Sequence, residues 1–306
     1  MMALNKYKQT IRDIKDLKIQ GAINIASAAI DAMDFAVKNT KIDDPKLFWK
    51  AINSAKHEIF TTRPTEPAMR NAINYIMNDV DTSSVNSIKS QMNRNTKAAH
   101  SHIRNSSRKI AEIGAKKITK GSIVFTHCHS STVVNILKTA KKKGKNFEVH
   151  NTETRPLFQG RKTATELAAS GIKVTHYVDS AARLALKKAD LFIMGVDAMT
   201  SEGKIINKIG TQLFIEVAER YEIPIYFCAD TWKFDPSTVW GEEEKIEMRD
   251  SKEVWSKAPR NVKVMNYAFE KIDPNMVTGV ITELGVFKPE TMVEILKDNS
   301  PWMFTY

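Results

Sequence analysis

A chain of 306 residues with 42% hydrophobic and 26% charged residues has the make-up of a globular protein, and its length suits two domains, one of them large. No apolar run approaches the roughly 18 residues of a membrane span, and the start Met-Met-Ala-Leu-Asn-Lys-Tyr-Lys has no apolar signal core, so a membrane partner is excluded and a cytoplasmic location is expected. The net charge is +11, and Cys128 and Cys228 are the only cysteines, too few for a disulfide framework.

Residues 1 to about 118 read as helical. Ile11, Ile14 and Leu17, with Lys18, carry one amphipathic face. After a break at Gly21, Ile23, Ile25, Ala26, Ala29, Ile30 and Met33 carry a second. A third, Leu47 to Ile59, is entered through Asp43-Asp44-Pro45, with the proline suited to a first helical turn. Thr61-Thr62-Arg63-Pro64-Thr65 interrupts the pattern, because the residue before a proline is pushed out of the helical region. Asn71 to Met77 is helical again, and a polar stretch, Asn78 to Ser90, precedes a long basic helix running to about Lys117.

The basic charge is concentrated there. Between Thr82 and Phe147, fourteen Lys and Arg face a single acid, Glu112. Such a block attracts polyanions, but no aromatics are interleaved and no nucleic-acid signature accompanies it. A solvated helix face is the favoured reading, and nucleic acid a possible but disfavoured partner.

From Gly121 onward, short β-rich runs alternate with helical stretches. Strands are expected at Ile123–Phe125, Phe147–Asn151, Lys173–Val178, Leu191–Met194, Ile225–Cys228, Val262–Asn266 and Gly279–Thr282. Helices are expected at Thr132–Lys143, at Thr163–Ser170 with Thr163 and Glu166 as a capping box, at Ser180–Lys188 and at Asn207–Tyr221. The alternation predicts an α/β fold: a helical N-terminal domain (1–118) and a Rossmann-like, mostly parallel sheet domain (119–306). Ligands of such sheets lie beyond the carboxyl ends of the strands. Those ends carry Cys128, then Glu153-Thr154-Arg155, Asp179-Ser180, Gly195-Val196-Asp197 and Asp230-Thr231-Trp232-Lys233. No GxGxxG follows a strand and no GxxxxGK[ST] is present, which disfavours nicotinamide and P-loop nucleotide chemistry.

The stretch Gly121-Ser-Ile-Val-Phe-Thr-His-Cys-His-Ser-Ser-Thr132 is the densest in reactive groups. A strand ends in a polar turn, and one of Ser130, Ser131 or Thr132 caps the helix that follows. A cysteine beside a helix start is expected to have a lowered pKa; the competing reading is a buried strand cysteine. Cys128 and Asp197 form a candidate proton-transfer pair, although Asp197 equally suits a helix N-cap or turn. Arg63, Arg155, Lys208 and Lys233, each an ordinary surface charge alone, would together suit a doubly phosphorylated small molecule. His127-Cys128-His129 is a poor metal set, because neighbours on a strand face opposite ways. Cys228, inside Ile225-Tyr-Phe-Cys228, reads as core.

Asn151-Thr-Glu-Thr-Arg-Pro-Leu-Phe-Gln-Gly160, Gly195-Val-Asp-Ala198, Asn207-Lys-Ile-Gly-Thr211 and Ile281-Thr-Glu-Leu-Gly285 resemble one superfamily. It holds the alpha, beta and delta subunits of translation initiation factor 2B, the methylthioribose-1-phosphate isomerases and the archaeal ribose-1,5-bisphosphate isomerases. The likeness runs from Gln20-Gly21-Ala22 and Arg63-Pro64-Thr65 to Phe269-Glu-Lys-Ile-Asp-Pro274, and by Thr126-His-Cys-His-Ser130 it is nearest the last group. The resemblance implies a homo-oligomer (a dimer or trimer of dimers) and a cofactor-independent, metal-free isomerase of a phosphorylated sugar. Cys128 and Asp197 would transfer the protons. Gln20, Gly21, Ala22, Arg63, Ser130, Ser131, Thr132, Asn207, Lys208 and Lys233 would contact the sugar phosphate. Arg155 is a further candidate contact, but Arg155 and Gln159 lie in a motif shared with non-enzymatic members and read equally as structural. Two positions depart from the bisphosphate pattern: Gln20 stands where an Arg is typical, and Ser131 where a Lys is. The rival expectations are a regulatory binding subunit and an isomerase of methylthioribose 1-phosphate.

Overall fold

The computed structural model describes residues 2–63 and 65–305; Met1, Pro64 and Tyr306 lie outside the described residues, and with Pro64 the proline of the Arg63-Pro64-Thr65 motif. The chain divides into two compact units interleaved in sequence. One comprises residues up to Asn105, Trp232–Pro236 and the chain from Ile295; the other comprises Ser106–Thr231 and Ser237–Glu294.

The first unit is helical: α1 (Met2–Lys15), α2 (Ala22–Asn39), α3 (Pro45–Thr62), α4 (Pro67–Met77) and the first part of α5 (Val85–Lys117). Gly21 opens α2 at φ 85°, a conformation a side chain would resist, and so turns the chain sharply after α1. Asp44 caps α3 by accepting from the Leu47 amide at 2.8 Å, with Pro45 in the first turn. The apolar faces read from sequence meet in a core where Ile25, Ile30, Met33, Phe48, Ile52 and Ile59 are fully buried. Helix α5 begins inside the polar stretch expected to precede it, because the Ser84 hydroxyl accepts from the Ser87 amide and caps it. The segment Trp232–Pro236 is fastened in this unit: Asn71 donates to the carbonyls of Trp232 and Phe234, both at 2.7 Å, and Arg70 pairs with Asp235 at 2.9 Å.

The second unit is α/β. In chain order it holds β1 (Ile123–Thr126), α6 (Ser131–Lys142), β2 (Glu148–Thr152), α7 (Gln159–Ala168), β3 (Lys173–Tyr177), α8 (Ala182–Leu186), β4 (Leu191–Gly195), β5 (Ala198–Met199), β6 (Ile205–Lys208), α9 (Thr211–Glu219), β7 (Ile225–Cys228), β8 (Phe269–Ile272), β9 (Gly279–Thr282) and β10 (Gly285–Phe287), with α10 (Met292–Asn299) leading out. Seven strands form one sheet in the order β10-β9-β7-β4-β1-β2-β3, parallel except for β10. Alternation along the strands sorts the two faces. Val124, Val149, Ile193, Cys228 and Ile281 join a core with Ile110, Ala111, Ala115 and Ile118 of α5 and Val133, Ile136 and Leu137 of α6. On the opposite face Phe125 meets Phe192 edge-on at 4.9 Å and Phe214 of α9 at 5.2 Å.

Three local expectations are corrected. Val262–Asn266 is not a strand; the strand is Phe269–Ile272, which pairs antiparallel with β6 in a small sheet β5-β6-β8. Asn207 and Lys208 end a strand, and the helix expected from Asn207 starts at Thr211 after a turn at Gly210 (φ 96°). Helix α7 starts at Gln159, so Thr163 lies inside it and caps nothing.

Between β1 and β4 the order of connections reverses, since β1 has its successor β2 on one side and β4 on the other. At such a switch point the loops leave the sheet in opposite directions and open a crevice at the carboxyl ends. Cys128 follows β1 there and Asp197 follows β4.

Candidate active site

The turn after β1 is tied down from several sides. His127 is buried; its Nε2 faces the carbonyl of Ile209 at 3.2 Å and its Nδ1 the Thr152 hydroxyl at 2.6 Å. A ring nitrogen facing a carbonyl must carry its proton, so the network assigns the Nε2–H tautomer with Nδ1 accepting. Cys128 is half-buried and left-handed at φ 65°. Its amide donates to the Thr154 hydroxyl at 3.0 Å, and its carbonyl accepts from the Thr163 hydroxyl at 2.8 Å. Thr154 is itself left-handed at φ 64°, an outlier for a β-branched residue that costs on the order of 1–3 kcal/mol. Asp179 holds that second turn by accepting from the amides of Thr154 (2.8 Å) and Arg155 (2.7 Å). Ser130 then caps α6, its hydroxyl accepting from the Val133 amide at 3.4 Å; Ser131 is exposed in the first turn and Thr132 is buried.

The end of β4 approaches this turn closely. A Cβ on Gly195 would lie 2.6 Å from the Ser130 hydroxyl oxygen, so glycine is required for the helix start to pass the strand end. Asp197 follows, half-buried, with its amide donating to the Ile206 carbonyl at 3.0 Å. The β5–β6 hairpin thereby returns Asn207 and Lys208 to the same strand ends. The Asn207 side chain spans them, donating to the Gly195 carbonyl and accepting from the Lys208 amide, both at 2.6 Å. Lys208 is buried.

Burial dominates the electrostatics. It pushes the Cys128 thiol up to about 12, against the pull of Lys208 and the His129 amide, with Asp197 and Asp179 adding to the rise. The lowered pKa expected from a helix start is therefore corrected: desolvation of the thiolate outweighs the cation and the helix end. Burial also lowers His127 to about 4 although Asp179 lies 3.8 Å away, so the ring is neutral at physiological pH. His129 is lowered by burial and by Lys162; its Nδ1 meets the Thr163 hydroxyl at 3.0 Å. The two histidine rings thus engage different partners.

The other expected residues fall elsewhere. Arg155 is exposed; its guanidinium lies over the Phe158 ring and donates to the Val254 carbonyl at 3.2 Å. The remaining candidates belong to the helical unit. There Gln20 is exposed and bonded back to the Leu17 carbonyl, Gly21 and Ala22 start α2, Arg63 ends α3 paired with Glu66 at 3.2 Å, and Lys233 is buried. Sequence reasoning passed over Thr154 and Thr163 as partners of Cys128. The only local signal was their place, one at a strand end and one inside a helix-start pattern.

The model of the Initiation factor 2 subunit family matches residues 18–289. A curated relative, "Ribose 1,5-bisphosphate isomerase" of Pyrococcus furiosus, is 37% identical over all of this chain and 97% of its own length. "Methylthioribose-1-phosphate isomerase" of Desulforamulus reducens is 32% identical, covering 92% of this chain and 87% of its own. Among solved structures, the translation initiation factor eIF-2B of Pyrococcus horikoshii OT3 superposes with a TM-score of 0.79 at 30% identity, over 92% of this chain and 97% of that one.

Proposed function

The chain belongs to the Initiation factor 2 subunit family, and we propose that within it this protein is a cofactor-independent aldose–ketose isomerase converting ribose 1,5-bisphosphate to ribulose 1,5-bisphosphate. The observation that carries the reading is the convergence of Cys128, Asp197 and the buried cation Lys208 at the ends of neighbouring strands β1 and β4. Full-length relatives named for that activity support the substrate.

A phosphate on the anomeric oxygen locks the sugar as a ring, so the enzyme must open it before moving hydrogen from C2 to C1. That requires an acid at the ring oxygen and a base at C2. Asp197 is assigned the first task and Cys128 the second. The proposed mechanism requires thiol and carboxylate to share one proton. At rest the proton sits on sulfur, since burial and the negative charge of Asp197 both oppose a thiolate. Passing it to Asp197 removes that opposing charge and yields the reactive tautomer, an acid and a thiolate, with Lys208 favouring the anion. The donors at the start of α6, Ser130–Thr132, and Lys208 are proposed to take a phosphate. Asn207, whose amide holds two strand ends, keeps Lys208 in place. Contacts from Gln20, Gly21, Ala22, Arg63 and Lys233 and a homo-oligomer are proposed on the strength of the resemblance, and a cytoplasmic location is proposed as well. No helix of the described residues is long and apolar enough to cross a membrane.

The test is to incubate purified protein with ribose 1,5-bisphosphate and assay ribulose 1,5-bisphosphate. Turnover is expected. Its absence in folded protein that turns over methylthioribose 1-phosphate would move the substrate, and absence with both sugars would favour a regulatory binding subunit.

A further inference from the structure

Two non-glycine residues in the left-handed region, Cys128 and Thr154, end adjacent strands and are joined by a hydrogen bond from the Cys128 amide to the Thr154 hydroxyl. On the other side of Cys128, the hydroxyl of Thr163 reaches out of α7 to its carbonyl. The two peptide groups flanking the sulfur are therefore each gripped by a threonine hydroxyl, and both threonines are buried. Neither threonine is the residue local conformation would choose. A left-handed position favours Gly or Asn, and Thr154 accepts the strain of a β-branched side chain there. Thr163 sits in mid-helix, where a hydroxyl commonly turns back to its own helix backbone, yet this one leaves the helix for the neighbouring loop. Its single proton goes to the Cys128 carbonyl, so His129 Nδ1, at 3.0 Å, is assigned as the N–H donor to its oxygen. Asp179, through the Thr154 and Arg155 amides, fixes the turn that presents the first hydroxyl.

We infer that Thr154 and Thr163 are positioning residues that hold Cys128 in its left-handed turn and so keep its sulfur facing Lys208 and Asp197. Without the grip the turn relaxes toward extended backbone, which swings the side chain at a strand end to another direction. The inference deepens the proposed acid–base role of Cys128 and rests on it. It differs from mere satisfaction of buried polar groups in what it expects of isosteres.

The experiment compares Thr154→Val and Thr163→Val, which keep volume and remove the hydroxyl, with Thr154→Ser and Thr163→Ser, which keep the hydroxyl. The valine variants are expected to lose about 10- to 100-fold in kcat with KM within about threefold, as misplacement of a reacting group does. The serine variants are expected to recover most of kcat. A second readout needs no substrate: the rate of iodoacetamide labelling at Cys128, followed by mass spectrometry against Cys228. It is expected to change at least about threefold in the valine variants and return in the serine ones, with Cys228 unaffected. Folded valine variants with unchanged kcat and unchanged labelling would overturn the inference, as would serine variants that behave like valine. If the unmodified protein shows no isomerase activity, the labelling series alone decides whether the threonines position Cys128. Should Thr154→Val fail to fold, Thr163→Val carries the test, because a helix interior tolerates valine.

Discussion

Helices α6 and α9 both leave the carboxyl end of a strand in the sheet unit, yet their N-termini are treated in opposite ways. The first amides of α9 are already taken: Gln212 donates to the Glu270 carboxylate at 2.9 Å, and the Gly210 and Thr211 amides also favour that carboxylate's charge. At α6 the side-chain cap among the described residues is the neutral hydroxyl of Ser130, at a long 3.4 Å, and Ser131 beside it is exposed. A helix end attracts anions through its unpaired amides and its dipole. One end has been closed with the protein's own carboxylate, and the other carries a neutral hydroxyl. The difference is consistent with the proposal that a phosphate is received at α6, the helix that also follows Cys128.

The sharpest way to break this comparison is to disable the chemistry on the α6 side while leaving the α9 side alone. Cys128→Ser and Asp197→Asn are each expected to lower turnover at least about a hundredfold with little change in melting temperature, as measured by the isomerase assay and calorimetry. Glu270→Gln, acting at the closed helix end, should leave kcat within about twofold. Equal losses on the two sides would erase the distinction.

Next in size is the cap itself. Ser130→Ala removes the hydroxyl from the Val133 amide and should destabilise the fold by about 0.5–2 kcal/mol, with KM rising and kcat less affected. A denaturant titration beside the kinetics separates the two effects.

Ser131→Lys puts a cation in the first turn of α6. The helix dipole opposes it by about 0.3–1 kcal/mol, so a small loss of stability should accompany a lower KM for the bisphosphate. A monophosphorylated ribose should gain less. No change in KM would mean that the anion does not lie at this helix start.

The smallest effect is on pH dependence. Burial raises the pKa of Glu270 above its ordinary value despite the helix amides. Its protonated form is thus favoured on folding, so its contribution to stability is full below the unfolded pKa and declines as pH rises through the folded one. Glu270→Gln should flatten that decline in melting curves taken from pH 4 to pH 7. A titration of Cys128 offers a parallel check. With its thiol near 12, iodoacetamide labelling should still be climbing at pH 10, while remaining faster than at the fully buried Cys228.

Much of the sheet unit was legible because period and punctuation agreed. The switch from Ile123–Phe125 to helical spacing at Val133, with serines between, located β1, its turn and the cap of α6. What escaped depended on partners far away in sequence. The end of β6, Asn207-Lys208, was read as the start of a helix because it stands just before the periodic residues of α9; pairing with Ala198–Met199 on one side and Phe269–Ile272 on the other makes it a strand. Val262–Asn266 has the composition of a strand but no ladder to join, whereas Tyr267 makes an isolated bridge to Met248. Thr163 looked like a cap because Glu166 follows it, yet its hydroxyl serves a residue 35 positions earlier. The direction of the Cys128 shift was illegible for the same reason, since desolvation depends on what covers the loop, and no local pattern encodes that. The helical unit was read correctly in kind, with the interruption after Gly21 falling where α2 begins.

Gly195 and Gly160 carry a consequence for how this protein can change over time. A methyl group at Gly195 would strike the Ser130 side chain at 2.6 Å, and one at Gly160 would fall 1.7 Å from the Thr152 carbonyl oxygen. In a saturation library selected for function, these two positions should be emptied of every other amino acid about as thoroughly as Cys128, although neither glycine has any chemistry to offer. A lineage could exchange residues around the site and still be unable to leave those glycines. The most durable record of the site's ancestry would then lie in two absent side chains.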